Sequence, residues 1–436
     1  MSVSRSSAWL RRLALLLVVG LVAAACANGE VEPDDTDGEV EDAEEAADSD
    51  ADEEPEIDDD AEEDAEEPAD ADGEPIIVGA AVAQTGDLAA FGLLQQAAME
   101  KAVEDVNEAG GVNGRPMELV IEDTGDEAPT GIAASQRVLA RDPVALLGIT
   151  VSFLANPLVD LIDEAGIPML HGAQAPTLTP DEEGSEWYFR VRTQDDLTAR
   201  SVFEAGSERV DFSAPAIIHS NDPVGTGYEN SLRRLLEDND YDLVAVESHD
   251  LGPTDLTSQI QSVANADADI LFVQNFPADS GLLARQMDEL GLDIPVVWGA
   301  SATYAAFDFG LIEPELIAGD IASLDAMPRY DPDEDVQAWA QELEEESDLV
   351  PNEQSVSFYS AILMLADAIE RAGTTDPEPL RDALAETQDL TEWNGIALPG
   401  VVFDCDANQN CLRERHIYEV GDDGVPARVA TYVDED

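Results

Sequence analysis

From residue 76 onward, apolar runs of strand length alternate with amphipathic runs of helix length. "IIVGAAVA" (76–83) is a continuous apolar run of the kind a strand buried on both faces requires. Leu94, Ala98, Ala102 and Val106, with Met99 and Val103, recur at helical spacing and predict one buried helix face. "AGGVNGRP" then stops that helix, with glycines where a left-handed C-cap is needed and Pro116 beyond them. "MELVIED" is the next strand, and helix "ASQRVLAR", strand "VALLGIT", helix "PLVDLIDEAG" and strand "IPMLHGA" keep the beat. After "WYFRVR" the pattern restarts. Strand "APAIIHS", helix "YENSLRRLLEDN", strand "LVAVESH", helix "LTSQIQSVANA", strand "DILFVQN", helix "LLARQMDELG" and strand "IPVVWGA" follow. A largely helical stretch, 334–387, precedes a hairpin holding two cysteines. Repeated strand–helix units predict parallel sheets covered by helices, and two successive sets predict an α/β protein of two doubly wound lobes. At 361 residues, 76–436 also exceed what one compact core holds comfortably.

In open parallel sheets, ligands sit beyond the carboxyl ends of the strands. The loops there are "QTGDLAAFG", "GITVSFLANP", "HGAQAPTLT", "HSNDPVGTG", "QNFPADSG" and "GASATYAAF". They are rich in Gly, Ser, Thr and Asn, and suit neutral hydrogen bonding. Phe91, Phe276 and Tyr304 offer apolar walls. No GxSxG elbow, P-loop, HExxH or CxxC is present. Ser152 lies before a helix, and His171 and His219 follow strands, but no local motif joins a nucleophile to a base. The chain is read as a non-enzyme without cofactor or metal, a lidded hydrolase being the alternative from another class.

The amino terminus departs from this beat. Arg5, Arg11 and Arg12 precede a short apolar core, Leu13 to Val22, and then Ala23, Ala24 and Ala25. Residues 1–25 read as a secretory signal, too short to span a bilayer. "VAAAC" resembles a bacterial lipobox, which implies lipidation of Cys26; ordinary cleavage beside the alanine run is the plainer reading. Residues 30–74 then carry 27 Asp or Glu and no Lys or Arg. Such a segment repels itself and cannot bury enough surface to order. Residues 26–75 are therefore expected to be a disordered tether, a coil of roughly 35–40 Å before charge extends it, holding a cargo domain off the outer face of the cell membrane.

The formal net charge is −77. Without the tether and signal, 70 acids stand against 17 bases, still near −53. That excludes nucleic acid and anionic lipid surfaces as partners and looks like adaptation to salt. Besides Cys26 the chain has Cys405 and Cys411, in "FDCDANQNCLRERHIYEV"; an even pair in an exported chain predicts a disulfide. Asp404, Asp406, Asn408 and Asn410 alternate as in a calcium loop, but the glycine at the sixth position is missing and Arg415 stands where a bidentate Glu is needed.

Several phrases, in order, resemble the type I periplasmic binding proteins of the leucine/isoleucine/valine branch, the solute receptors of branched-chain amino acid ABC transporters. They are "IIVGAAVAQTGDLAAFG", "AMEKAVEDVNEAGGVNGRPMELVIEDTGDE", "YFRVRTQDD" and "MPRYDPDEDVQAW". The resemblance covers residues 76–436. It implies two lobes joined by three crossovers, the first about 76–193 plus 327–395 and the second about 194–326 plus 396–436. It also implies a monomer that closes over a small amino acid, organic acid or amide, delivers it to ABC permease subunits, and meets the membrane only through its lipid. A ligand-sensing receptor domain of a signalling system would share these features. By the same resemblance Phe91 is an aromatic wall, Ser152 and the Ala173 backbone amide grip a ligand carboxylate, and Asp195 helps hold an amino group. Gln174 replaces a threonine, Val224 a tyrosine, and Phe276 another aromatic. Ser301 stands where amino-acid binders keep an acid for the ammonium.

Overall fold

The computed structural model describes residues 73–182 and 184–434. The signal-like segment, Cys26 and the acidic segment up to residue 72 lie outside the described residues. Two sheets organise the rest. The first is wholly parallel, in the order Met117–Asp123, Ile76–Val82, Leu146–Gly148, Met169–His171, Tyr188–Arg190. The second runs Pro426–Val433, Glu414–Val420, Ile321–Leu324, Val296–Trp298, Ile270–Gln274, Pro215–Ser220, Ala245–His249. Its last five strands in that order are parallel, and the two carboxyl-terminal strands add an antiparallel edge.

The central strands are buried along almost their whole length because helices cover both faces, which is why they read as unbroken apolar runs. Helix Ala89–Glu108 turns the predicted stripe of Leu94, Ala98, Met99, Ala102 and Val106 inward, against helix Glu353–Ala372 in the first lobe's core. Helices start earlier than their apolar stripes. Pro223–Asp238 and Pro277–Leu290 each open on a proline whose fixed φ suits the first turn, followed by small or polar residues without periodicity.

Pattern reading passes over helix Asp195–Arg209, strand Ile321–Leu324 and the two final strands. The cysteine hairpin also sits elsewhere than expected. Phe403, Cys405, Cys411 and Leu412 pack into the first lobe's core, Phe403 bridges to Leu390, and Asn410 bridges to Arg190. The chain enters the second sheet only at Glu414. The Cys405–Cys411 disulfide is formed and closes this hairpin. Inside it the Asp406 carboxylate accepts the amides of Asn408 (2.8 Å) and Asn410 (2.9 Å) and the Asn410 side chain. The calcium-like alternation thus builds a turn held by its own aspartate.

Candidate functional site

Among the described residues the chain passes between the sheets three times: after Tyr188–Arg190, after Ile321–Leu324, and just before Glu414–Val420. The three passages meet in one buried ionic network. Asp325 accepts Arg192 Nε (2.9 Å), Thr193 Oγ1 and Arg415 Nη1. Arg415 also donates to Thr193 Oγ1 (2.9 Å), Ser323 Oγ (2.9 Å) and the Ser323 carbonyl (2.7 Å). Glu353 accepts from Arg192 Nη2, from the Tyr304 hydroxyl and from the Asp325 amide. All of these side chains are buried. Two guanidiniums face two carboxylates, so the group is neutral. Burial pushes the Asp325 carboxyl up, but Arg415 and Arg192 outweigh it and hold it below the usual range.

Beside this network lies a cleft of about 70 Å³. That is room for about five to seven waters, the scale of one small metabolite. Its first-lobe wall comes from Phe91, Thr150, Ser152 and Gln174, with Glu353 and Gln354 from the start of a long helix. Its second-lobe wall comes from Val224, Gln274, Asn275, Phe276, Ser301 and Tyr304. Most of these follow the carboxyl ends of strands, as the topology requires. A larger depression of about 710 Å³ is an acidic groove lined by Asp181, Asp196, Asp238 and Asp406, among others. None of the residues expected to touch ligand lines it, so the site is placed in the smaller cleft.

Local backbone chemistry explains how the walls are held. Gly148 has φ +106°, and a Cβ there would lie 2.1 Å from the Ala81 carbonyl oxygen; Ile149 follows at φ 51°. This kink turns the loop so that Ser152 reaches the cleft. The Ser152 hydroxyl accepts the Ala175 amide (3.1 Å), tying two first-lobe loops together. Asp222 caps the helix that carries Val224, accepting the amides of Val224 (2.8 Å) and Gly225 (2.9 Å). Ser301 opens a short helical turn that widens to π geometry over Tyr304–Asp308, a distortion common at functional sites.

Aromatic and polar contacts bring the lobes together around the cleft. Phe91 packs edge-on to Tyr304 and Phe309, at 5.5 and 6.1 Å between ring centroids. Asn352 donates to Asp308 at 2.9 Å.

The lining thus brings together six of the eight residues expected at the site: Phe91, Ser152, Gln174, Val224, Phe276 and Ser301. Ala173 and Asp195 lie outside it. The Ala173 amide donates to His171 Nδ1 (3.2 Å), and its carbonyl accepts from Arg190. Asp195 is buried, and neither carboxylate oxygen has a hydrogen-bond partner. Burial pushes its carboxyl up to about 7, against the pull of Arg190, Arg415 and Arg192. Sequence reasoning missed Arg192, Glu353 and Gln354 as lining residues, and passed over Thr150, Gln274 and Asn275 within loops it had marked. Gln274 and Asn275 could have been found as bulky amides in a loop of small residues. Glu353 offers no signal, being one acid among 70 in the folded part.

Comparison with known proteins gives one consistent picture. A family model described as periplasmic binding protein matches residues 75–424. The leucine-, isoleucine-, valine-, threonine- and alanine-binding protein of Pseudomonas aeruginosa is 26% identical over 304 residues, 69% of this chain and 79% of that protein. Among solved structures, the branched-chain amino acid transporter substrate binding protein LivJ of Streptococcus pneumoniae, in complex with isoleucine, superposes with a TM-score of 0.70 at 20% identity, covering 83% of this chain and 99% of that one. An ABC transporter solute binding protein from R. palustris, in complex with 4-hydroxybenzoate, gives a TM-score of 0.70 at 18% identity over 83% and 98% of the two chains.

Proposed function

Because the chain belongs to the periplasmic binding protein family, we propose that it is an extracytoplasmic solute receptor that closes two lobes over one small molecule and hands it to an ABC permease. The solute is a branched-chain amino acid or a related small carboxylate or amide. The observation that carries this reading is the cleft itself. Loops from both sheets wall a metabolite-sized space, and all three interlobe passages meet in one network at its edge through Arg192 and Glu353.

In this reading the lobes are residues 76–193 plus 327–413 and residues 194–326 plus 414–434, with the cysteine hairpin in the first. Ser152 donates its hydroxyl proton to the ligand carboxylate while its oxygen keeps the Ala175 amide. Phe91, Phe276 and Val224 enclose the apolar part. Relatives support this range of solutes: one is named for leucine, isoleucine, valine, threonine and alanine, and one neighbour holds 4-hydroxybenzoate. Lipidation at Cys26 followed by the acidic run would keep the receptor at the membrane.

Thermal unfolding at high salt tests the reading. A solute at one hundred times its dissociation constant adds about 2.7 kcal/mol of stability. Stabilisation by a branched-chain compound, lost in Phe91→Ala, supports solute binding. Turnover of an ester or amide panel, abolished in Ser152→Ala, would overturn it in favour of a hydrolase. Mass spectrometry of the mature amino terminus decides the anchor: a diacylglyceryl-modified Cys26 is expected, and an unmodified cysteine or alanine terminus refutes it.

A further inference from the structure

We infer that the solute presents an uncharged hydrogen-bonding end, a carboxamide, carbonyl or hydroxyl, to the second lobe, where Gln274 and Asn275 read it. This rests on the solute-receptor reading above and narrows its ligand.

Charge in the cleft is the first observation. The lining holds one acid, Glu353, and one base, Arg192, and each is already spent. Glu353 takes Arg192, the Tyr304 hydroxyl and the Asp325 amide; Arg192 divides itself between Glu353 and Asp325. A ligand ammonium therefore meets no unpaired carboxylate in the lining. Ser301, whose hydroxyl donates to Asn275 Oδ1 at 3.0 Å, supplies no charge either. Asp195 lies outside the lining; its Oδ2 would sit 3.5 Å from a Cβ added at Gly227. Burying an ammonium without a carboxylate is costly.

The second observation is what the cleft leaves unsatisfied. Gln274 Oε1 and Asn275 Nδ2 are buried and without hydrogen-bond partners, and both residues line the cleft at 9% and 7% exposure. Neither side chain is loosely held. Asn275 Oδ1 accepts from Ser280 and Ser301. The Gln274 amide lies over Gly299, where an added Cβ would come within 1.7 Å of Oε1. Gly299 is thus a glycine because the amide occupies that space. Buried polar atoms without partners are unfavourable and call for an explanation. Here one ligand group with both a donor and an acceptor, or a water it displaces, satisfies both. Turned either way, each amide presents a neutral donor or acceptor and no full charge, so the absence of charge on this wall is independent of how the amides are oriented.

Titration calorimetry of the folded protein at high salt, with L-leucine, 4-methylpentanoate, 4-methylpentanamide and 4-hydroxybenzoate as probes, tests the inference. 4-Methylpentanamide or 4-hydroxybenzoate, the probes with an uncharged hydrogen-bonding group, is expected to bind about tenfold or more tighter than leucine; 4-methylpentanoate binding tightest of the four overturns the inference. Asn275→Asp exchanges the free donor for a carboxylate at nearly constant shape, and Ser301→Glu places an acid on the same wall. Either is expected to weaken the amine-free probe by about tenfold, the loss of one neutral hydrogen bond, and to strengthen leucine. Leucine binding as tightly as every amine-free probe in the unaltered protein overturns the inference and leaves the solute-receptor reading standing. Binding by none of the four overturns the branched-chain or small-carboxylate reading and this inference with it. If Asn275→Asp fails to fold, the comparison of probes on the unaltered protein still decides.

Discussion

The crossover network and the Gln274–Asn275 stretch of the cleft's second-lobe wall are both buried and polar, but they are finished to different degrees. Around Asp325 the carboxylates of Asp325 and Glu353 and the guanidinium of Arg415 are all taken up by donors or acceptors of the chain itself. On the second-lobe wall of the cleft, Gln274 and Asn275 keep buried amide atoms without partners. Low dielectric strengthens complete networks and penalises incomplete ones. The difference therefore separates groups that hold the lobes in register from groups that await something from outside. Glu353 links the two regions, because it pairs with Arg192 and accepts from the Tyr304 hydroxyl of that wall. Through it, the cleft is physically joined to the passages between the lobes.

The largest effect should come from breaking the complete side. Asp325→Ala leaves two buried guanidiniums sharing one carboxylate, Glu353, and is expected to cost about 3–5 kcal/mol in urea unfolding. Gln274→Met, which removes an unpaired amide at similar volume, should change stability by less than about 1 kcal/mol. Equal costs for the two would erase the distinction.

Asp195 is an intermediate case, with cations near but no hydrogen bond to its carboxylate. Its folded pKa of about 7 exceeds the unfolded value of 3.8, so the folded state binds the extra proton between them. The stability this contributes is fully present below about pH 4 and is lost as pH rises through about 7, up to about 4 kcal/mol in all. Asp195→Asn should flatten that part of the stability–pH curve and leave the variant the more stable protein at pH 8. An unchanged slope would mean that Asp195 is solvated or paired in solution. Asp308 and Asp320, raised to about 8 and about 7 chiefly by burial, add slope of the same sign and remain in both proteins.

Opening the Cys405–Cys411 bridge should cost about 2 kcal/mol, because the closed loop is short. Since the hairpin packs on the first lobe and away from the cleft, Cys405→Ser/Cys411→Ser should bind solute within about twofold of the parent at a temperature where both are folded. Free thiols that alkylate in the unreduced native protein would refute the bridge. The smallest effect concerns salt. Added salt should raise the melting temperature of the parent and of Asp325→Ala in parallel, since it screens the acidic surface but hardly reaches the buried network. A gap between them that closes with salt would place the network in contact with solvent.

Strand runs such as Ile76–Val82 and Ile270–Gln274, and the stripe from Leu94 to Val106, could be read directly because local periodicity reports which face is buried. The loops at the strand ends followed from the parallel-sheet plan, and six of the eight residues that the family resemblance implied line the cleft. Strand Ile321–Leu324 could not, since its four residues include the polar Ser323, which is buried against Arg415 and Ser201. The cysteine hairpin followed the chain order in the reading but follows its apolar side chains in the fold. Family membership, the two-lobed α/β plan, the cysteine pair and the acid excess were all determined by sequence alone, because each is written in neighbouring residues or in composition. The partners of Arg192, which lie 133 positions away at Asp325 and 161 away at Glu353, were decided only by the tertiary structure. So was the lack of a partner within the chain for Gln274 Oε1 and Asn275 Nδ2. A charge is paired or a polar atom orphaned according to what distant segments bring to it in a space without water, and no local spacing along the chain encodes that.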